Sequence, residues 1–215
     1  MTSHSLSCYR VDSLQNVEGS GCGIEGECLQ FQQAWKTGLE SDFMPGEVRM
    51  GWAPEGFVIE AVLSDREIFN PVTVFNEPAF LKGDVFEMFF KPAGLDPYYE
   101  FHVNPNNQLF QYRLPSREVF YQQRELGICS EWLIKEPVVE SEVKIDREKG
   151  EWRVSVHIQV EKLGLAPLKA SDVWEFSFCR YDYTQNSKTP VLSSTSPLKI
   201  EDFHDQSCWM RARLL

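Results

Sequence analysis

The sequence predicts an all-β protein: a two-sheet antiparallel β-sandwich with few short helices, built from residues 1–215 as one domain. Three observations carry this. Apolar and aromatic residues recur at period two in run after run, turn residues punctuate the runs, and no long amphipathic helical pattern appears. A chain of 215 residues is within the range of a single large sandwich. Folding at that size buries roughly 70% of the exposable surface, so no disulfide framework is needed.

The elements follow in chain order. "ECLQFQQAWKTG" (Glu27 to Gly38) predicts a short helix of two or three turns, with Gly38 as its stop. "EVRMGWA" (Glu47 to Ala53) and "GFVIEAVLSD" (Gly56 to Asp65) flank Pro54-Glu55-Gly56, a tight hairpin. "DVFEMFFKP" and "YYEFHVN" meet across Ala93 to Pro97, and "QLFQYRLP" follows the turn Pro105-Asn106-Asn107. "VVESEVKID" and "GEWRVSVHIQV" form a long hairpin around Arg147 to Gly150. In its second arm Trp152, Val154, Val156, Ile158 and Val160 alternate with polar residues, as on a half-buried strand. "VEKLGLAP" supplies one helical turn; "DVWEFSFCRYDY" and "CWMRARLL" supply two further strands. Between Lys188 and Asp205, "KTPVLSSTSPLKIEDFHD" reads as a polar, proline-punctuated loop too long to be a mere connection.

Composition narrows the function. A net charge of −11 argues against nucleic acid, whose phosphates require clustered Lys and Arg. No run approaches about 18 apolar residues, so no membrane span is expected. Cys8, Cys22, Cys28, Cys129, Cys179 and Cys208 show no CxxC or zinc spacing and read mainly as reduced thiols. The opening "MTSHSLSCYRVDSLQ" lacks a basic start and a continuous apolar stretch. The expectation is therefore a cytoplasmic protein as written, or a secreted one if a leader was trimmed away.

The passage from Gly83 to Pro115 is unusual in carrying polar groups inside apolar runs. In "YYEFHVN", Tyr99, Phe101 and Val103 share one face, suited to the core, and Tyr98, Glu100, His102 and Asn104 share the other. That second face suits either a solvated sheet surface or a ligand groove. No GxSxG, HExxH or GxxxxGK[ST] pattern occurs, so an enzyme is not expected. His157 falls on a polar strand face and is expected to meet solvent. Sugars present C–H faces to aromatic rings and hydroxyls to charged and amide groups, and this chain is rich in both partners. The stacking candidates are Phe80, Tyr98, Tyr181, Tyr183 and Trp209; the hydroxyl-binding candidates are Glu87, Glu100, His102, Asn104 and Arg180. Trp152, Trp174, Phe176 and Phe178 are assigned to the core.

"GDVFEMFFKP…YYEFHVNPNNQL" resembles the signature segment of family 9 carbohydrate-binding modules, D-x-x-E-x-F followed by Y-x-E-F-x-V-N-P. "WEFSFCRYDYT…LSSTSPL…DFH" and "VRMGWAPEGFVIEAVLSDREI" are similar to later and earlier parts of that pattern, so the likeness runs from Val48 to His204. It implies a β-sandwich of the immunoglobulin or jelly-roll kind shared with DOMON-type domains, and a noncatalytic protein that binds a mono- or oligosaccharide. Its features fall on Asp84, Glu87, Tyr99, Glu100, Asn104, Arg180, Phe203 and His204. The family's ligand-clamping tryptophan pair is replaced by Phe80-Leu81 and Thr195. Phe80 then serves as one platform, and Tyr181 or Tyr183 as the other, with Arg180 binding hydroxyls or bracing Glu87. Structural calcium accompanies some family members, though no calcium loop identifies ligands here. Two alternatives stay open: a structural or protein-interaction sandwich, and a haem-binding DOMON-like module using Met50, Met88 and His102. The sequence implies no oligomeric state.

Overall fold

The computed structural model describes residues 5–11, 24–184, 187 and 189–215; Cys22 and Lys188, the first residue of the predicted long loop, lie outside them. The protein is mostly β. Its strands are β1 (Ser5–Arg10), β2 (Leu29–Gln30), β3 (Gly46–Ala53), β4 (Gly56–Ser64), β5 (Val85–Pro92) and β6 (Tyr98–Val103). They continue with β7 (Leu109–Leu114), β8 (Val139–Asp146), β9 (Glu151–Gln159), β10 (Val173–Asp182), β11 (Val191–Ser194) and β12 (Met210–Leu214). One short helix, α1 (Arg117–Gln123), follows β7.

Each predicted hairpin forms: β3 with β4, β5 with β6, β6 with β7, and β8 with β9, all antiparallel. At the β3–β4 turn only a glycine fits, because Gly56 has φ +156° and a Cβ there would stand 1.8 Å from the Ile158 carbonyl oxygen on β9. Where the sequence predicts two separate sheets, the strands join in one path, β7-β6-β5-β10-β12-β1-β3-β4-β9-β8. The link is β1, which runs parallel to its neighbours. Ser5 to Cys8 pair with β12, and Tyr9 and Arg10 pair with β3. Within β1, buried Leu6 and Cys8 alternate with exposed Ser5 and Ser7, a period-two pattern too short to stand out in the sequence.

The path nearly closes into a barrel, and side chains seal the remaining seam between β7 and β8. Gln111 is fully buried; its Oε1 accepts from the Val138 and Val139 amides at 2.9 and 3.0 Å, and its Nε2 donates to the Glu136 carbonyl. Asn107 and Ser141 add two further bonds across the same gap. Unpaired strand edges leave polar backbone groups without partners, so this glutamine substitutes for missing ladder bonds. Gln111→Ala is expected to strand two buried N–H groups and to destabilise the fold by about 2 kcal/mol. Urea denaturation with an unchanged midpoint would disprove that role.

The sequence misplaces one helix and omits another. Leu29, Phe31 and Gln33 are buried while their neighbours are not, so the Glu27–Gly38 stretch follows strand periodicity and forms β2 and a turn. The true helix, α1, is capped by Ser116, whose Oγ accepts from the Val119 amide at 3.2 Å. The predicted turn in "VEKLGLAP" forms as a single 3-10 turn over Glu161–Leu163. Part of the long loop is ordered as β11 on β10.

Two apolar layers flank the β5–β6–β7–β10 part of the path. The larger lies between it and β3–β4–β9, where Phe57 meets Phe90 and Trp174 with centroids 5.2 and 5.0 Å apart. Trp152, Trp174, Phe176 and Phe178 belong to this core. The second lies on the outer face, where Phe89, Tyr98, Phe110 and Tyr112 pack beneath Leu198, Phe203 and Trp209 from the β11–β12 connection. At about 1.5–3 kcal/mol for each large side chain buried, that second layer holds the connection down on the sheet.

Candidate functional site

The outer face of β5, β6, β7 and β10 is therefore covered, not solvated, and its polar groups are buried. Cross-strand register sets Cys179, Glu87, His102 and Phe110 in one row and Ser177, Phe89, Glu100 and Tyr112 in the next. Because alternate residues share a face, both rows point towards the β11–β12 connection. His102 is 1% exposed, Glu87 3% and Glu100 7%. His102 Nε2 lies 2.7 Å from Glu100 Oε1 and 3.1 Å from Glu87 Oε1.

Above them opens a cavity of about 450 Å³. Glu87 and Glu100 form its floor, Phe80, Tyr181 and Phe203 one wall, and Tyr112, Phe120 and Trp132 another. The rings brace one another. Phe80 stands edge-on to His102 and tilted against Tyr181, with both centroids 5.6 Å away, and Tyr181 stands edge-on to Phe203 at 5.6 Å. His204 stacks on Phe120 at 3.6 Å, and its Nδ1 shares a hydrogen bond with the Tyr98 hydroxyl at 2.8 Å. At the lip, Arg124 pairs with Asp202 at 3.3 Å.

Burial and charge set the ionisation of the floor. Burial pushes Glu87 up to about 8, against the opposing pull of His102. Burial also works on Glu100, but the His102 hydrogen bond and charge outweigh it and hold that carboxyl below its usual range. For His102, burial disfavours the cation, yet Glu87 and Glu100 together raise its pKa. Burial thus favours the neutral form of Glu87, while Glu100 and His102 favour one another's charged forms. Burial lowers the pKa of His204 and keeps it neutral.

The predicted residues divide into four groups. Phe80, Glu87, Glu100 and Tyr181 line the cavity, with His102 directly beneath. Two nominees support it instead. The Tyr183 hydroxyl donates to the Phe80 carbonyl at 2.8 Å. Asn104 organises the β6–β7 turn, donating to the Val72 carbonyl and accepting from the Asn106 and Gln108 amides. Arg180 points to the other side of the sheet. Its neighbours Cys179 and Tyr181 face the cavity side, so alternation turns it away from Glu87. It is fully buried, 3.0 Å from Asp65 Oδ2 and 3.3 Å from Asp182 Oδ2. Tyr98 and Trp209 are core residues, and the Trp209 indole donates to the Phe203 carbonyl. His157, expected to meet solvent, is half-buried.

Sequence reasoning missed Tyr112, Phe120, Arg124 and Trp132. Phe120 and Trp132 sit between Arg117 and Trp132, where no strand period runs; aromatics in such a segment were the available signal. The haem alternative fails on geometry. Met50 and Met88 belong to the core layer, and Met88 shares a face with Phe101, so the sheet separates it from His102. Calcium has no suitable site among the described carboxylates around Arg180. Asp65, Asp84 and Asp182 bring oxygens within 4.8 Å of one another. Asp84 already accepts from the Phe69 and Tyr183 amides and Asp65 from the Glu67 amide, and Arg180 supplies the positive charge. Calcium would need six to eight free oxygen ligands. The five described cysteines are free thiols, and no helix among the described residues is long and apolar enough to cross a membrane.

No family model matches the chain, and no curated protein matches it. Solved structures do. A Bacteroides uniformis protein provisionally assigned to carbohydrate binding superposes with a TM-score of 0.71 at 17% identity, covering 100% of both chains. A family 9 carbohydrate-binding module from Caldicellulosiruptor kristjanssonii, in complex with cellotriose, gives 0.66 at 12% identity over 98% of this chain and 93% of its own. A module of the same family and organism in complex with glucose gives 0.66 at 10% identity, over 98% and 95%. The fold is thus that of a family-9-like carbohydrate-binding module.

Proposed function

We propose that this protein binds a saccharide noncatalytically in the cavity above Glu87 and Glu100, its two half-sheets acting as the packed layers of a sandwich. The observation that carries the reading is convergence: an aromatic wall and a floor of ionised and neutral acids meet in one space of about 450 Å³. That volume lies within the range of small-ligand sites, which combine apolar walls with a few placed polar groups. Phe80 and Tyr181 stack against the C–H face of a sugar ring. Glu100, Glu87 and His204 take its hydroxyls, with Arg124 and Asp202 at the entrance. The fold shared with modules crystallised with glucose and cellotriose supports the choice of ligand class.

The noncatalytic part rests on the floor. Glycoside hydrolysis needs two carboxyl groups on either side of the scissile bond. Glu87 and Glu100 instead rise side by side from adjacent strands on the floor and share a single imidazole nitrogen. The test is calorimetric titration against glucose, cellobiose and a wider glycan panel. Phe80→Ala is expected to weaken binding by about 1 kcal/mol or more. Absence of heat with every mono- and oligosaccharide would remove the proposal.

A further inference from the structure

We propose that Glu87, Glu100 and His102 form a binding site for one divalent transition-metal ion of the zinc class at the floor of the cavity. The three ligand atoms converge, all lying within 4.8 Å of one another. His102 Nε2 is 2.7 and 3.1 Å from the two carboxylate oxygens. Around a tetrahedral zinc, with bonds near 2.0–2.2 Å, neighbouring ligand atoms stand roughly 3.3 Å apart. The two imidazole–carboxylate pairs thus already stand near the spacing of coordinating neighbours.

Hydrogen bonding alone serves the cluster poorly. Nε2 carries one proton at most, yet two carboxylate oxygens face it, so a single N–H must be shared between two acceptors. The other ring nitrogen, Nδ1, is buried and has no hydrogen-bond partner among the described residues. The imidazole's whole polar engagement is therefore aimed into the cluster. A metal ion at the common point takes all three lone pairs, releasing the Nε2 proton and the Glu87 carboxyl proton to solvent, and its charge offsets the two buried carboxylates. Access is provided, since both carboxylates form part of the cavity surface, leaving the remaining coordination position towards the cavity. His204 stands beside the triad, its Nε2 3.8 Å from Glu100 Oε2 and its Nδ1 held by Tyr98. A nitrogen donor among carboxylates selects Zn²⁺, Co²⁺ or Mn²⁺ over Ca²⁺ and Mg²⁺.

The test uses the full chain, stripped by chelator and titrated with Co²⁺ and then Zn²⁺, followed by cobalt visible absorption and calorimetry. One cobalt ion per chain is expected, displaced by zinc. Glu100→Gln and His102→Gln should each weaken binding at least tenfold, and Asp182→Asn, in the arginine cluster, should leave it unchanged. Circular dichroism checks each variant's fold; if His102→Gln does not fold, Glu100→Gln and Glu87→Gln decide. No cobalt binding, or binding insensitive to the floor substitutions, overturns the assignment. No saccharide enters the titration, so its failure leaves the saccharide reading standing, and failure of saccharide binding leaves the metal site standing.

Discussion

Replacing Arg180 by methionine is expected to lower the stability of the fold by about 3–5 kcal/mol, the usual cost of breaking a buried ion pair from one side. For a chain of this size that corresponds to a fall of roughly 6–20 °C in the melting temperature. Methionine keeps most of the side chain's volume, so the loss measures charge. Asp65 and Asp182, both buried, would face one another without a cation. A fall of less than about 3 °C would mean that Arg180 is not the counter-ion its distances indicate. The native cluster also carries a pH signature. Burial, reinforced by the Asp65 carboxylate, raises Asp84 to about 8; burial, opposed by Arg180, raises Asp182 to about 7. In the unfolded chain both would titrate near roughly 3.9. The folded state therefore holds protons that the unfolded state has released. That stabilisation is complete below the unfolded value and is lost as pH rises through the folded ones. Thermal stability should be higher at about pH 6 than at about pH 8.5, with Asp182→Asn flattening the profile; an identical slope in the variant would refute the assignment.

Glu100→Gln is expected to weaken saccharide binding tenfold to a hundredfold in chelator-treated protein, about 1.5–3 kcal/mol for a lost hydrogen bond to a charged group. Glu87→Gln should change affinity less than about threefold, because a carboxyl raised to about 8 is already protonated at neutral pH and glutamine mimics it. The contrast between the two is the informative result. Equal losses would show that both acids bind as carboxylates. No loss from either would place the sugar away from the floor, against the walls or outside the cavity.

How much of this was legible in the residues depends on how local each determinant is. The hairpins formed by β3–β4, β5–β6–β7 and β8–β9 stand where turn chemistry and period-two patterning placed them. Both signals act over a few residues. Alternation also assigned Tyr99, Phe101 and Val103 to the core and grouped Tyr98, Glu100 and His102 on the opposite face. The same rule could have separated Arg180 from Tyr181, since neighbours on a strand cannot face one cavity. The choice of both as ligand contacts rested on residue type over position. The Glu27–Gly38 segment shows the opposite weakness: three apolar or amide residues at period two were too few to outweigh helix-forming neighbours.

From the sequence alone came a β-rich protein with aromatic strands and a polar row of Glu87, Glu100 and His102 on one sheet face. Tertiary structure alone decided that this row is roofed, by Phe120 and Trp132 from one excursion and Phe203 and His204 from another. It also decided that β1 ties the two halves into a single path. The reason is physical. A strand's pattern records which side chains share a face, whereas what covers that face is a packing choice made by segments up to about a hundred residues away, with no period to announce it.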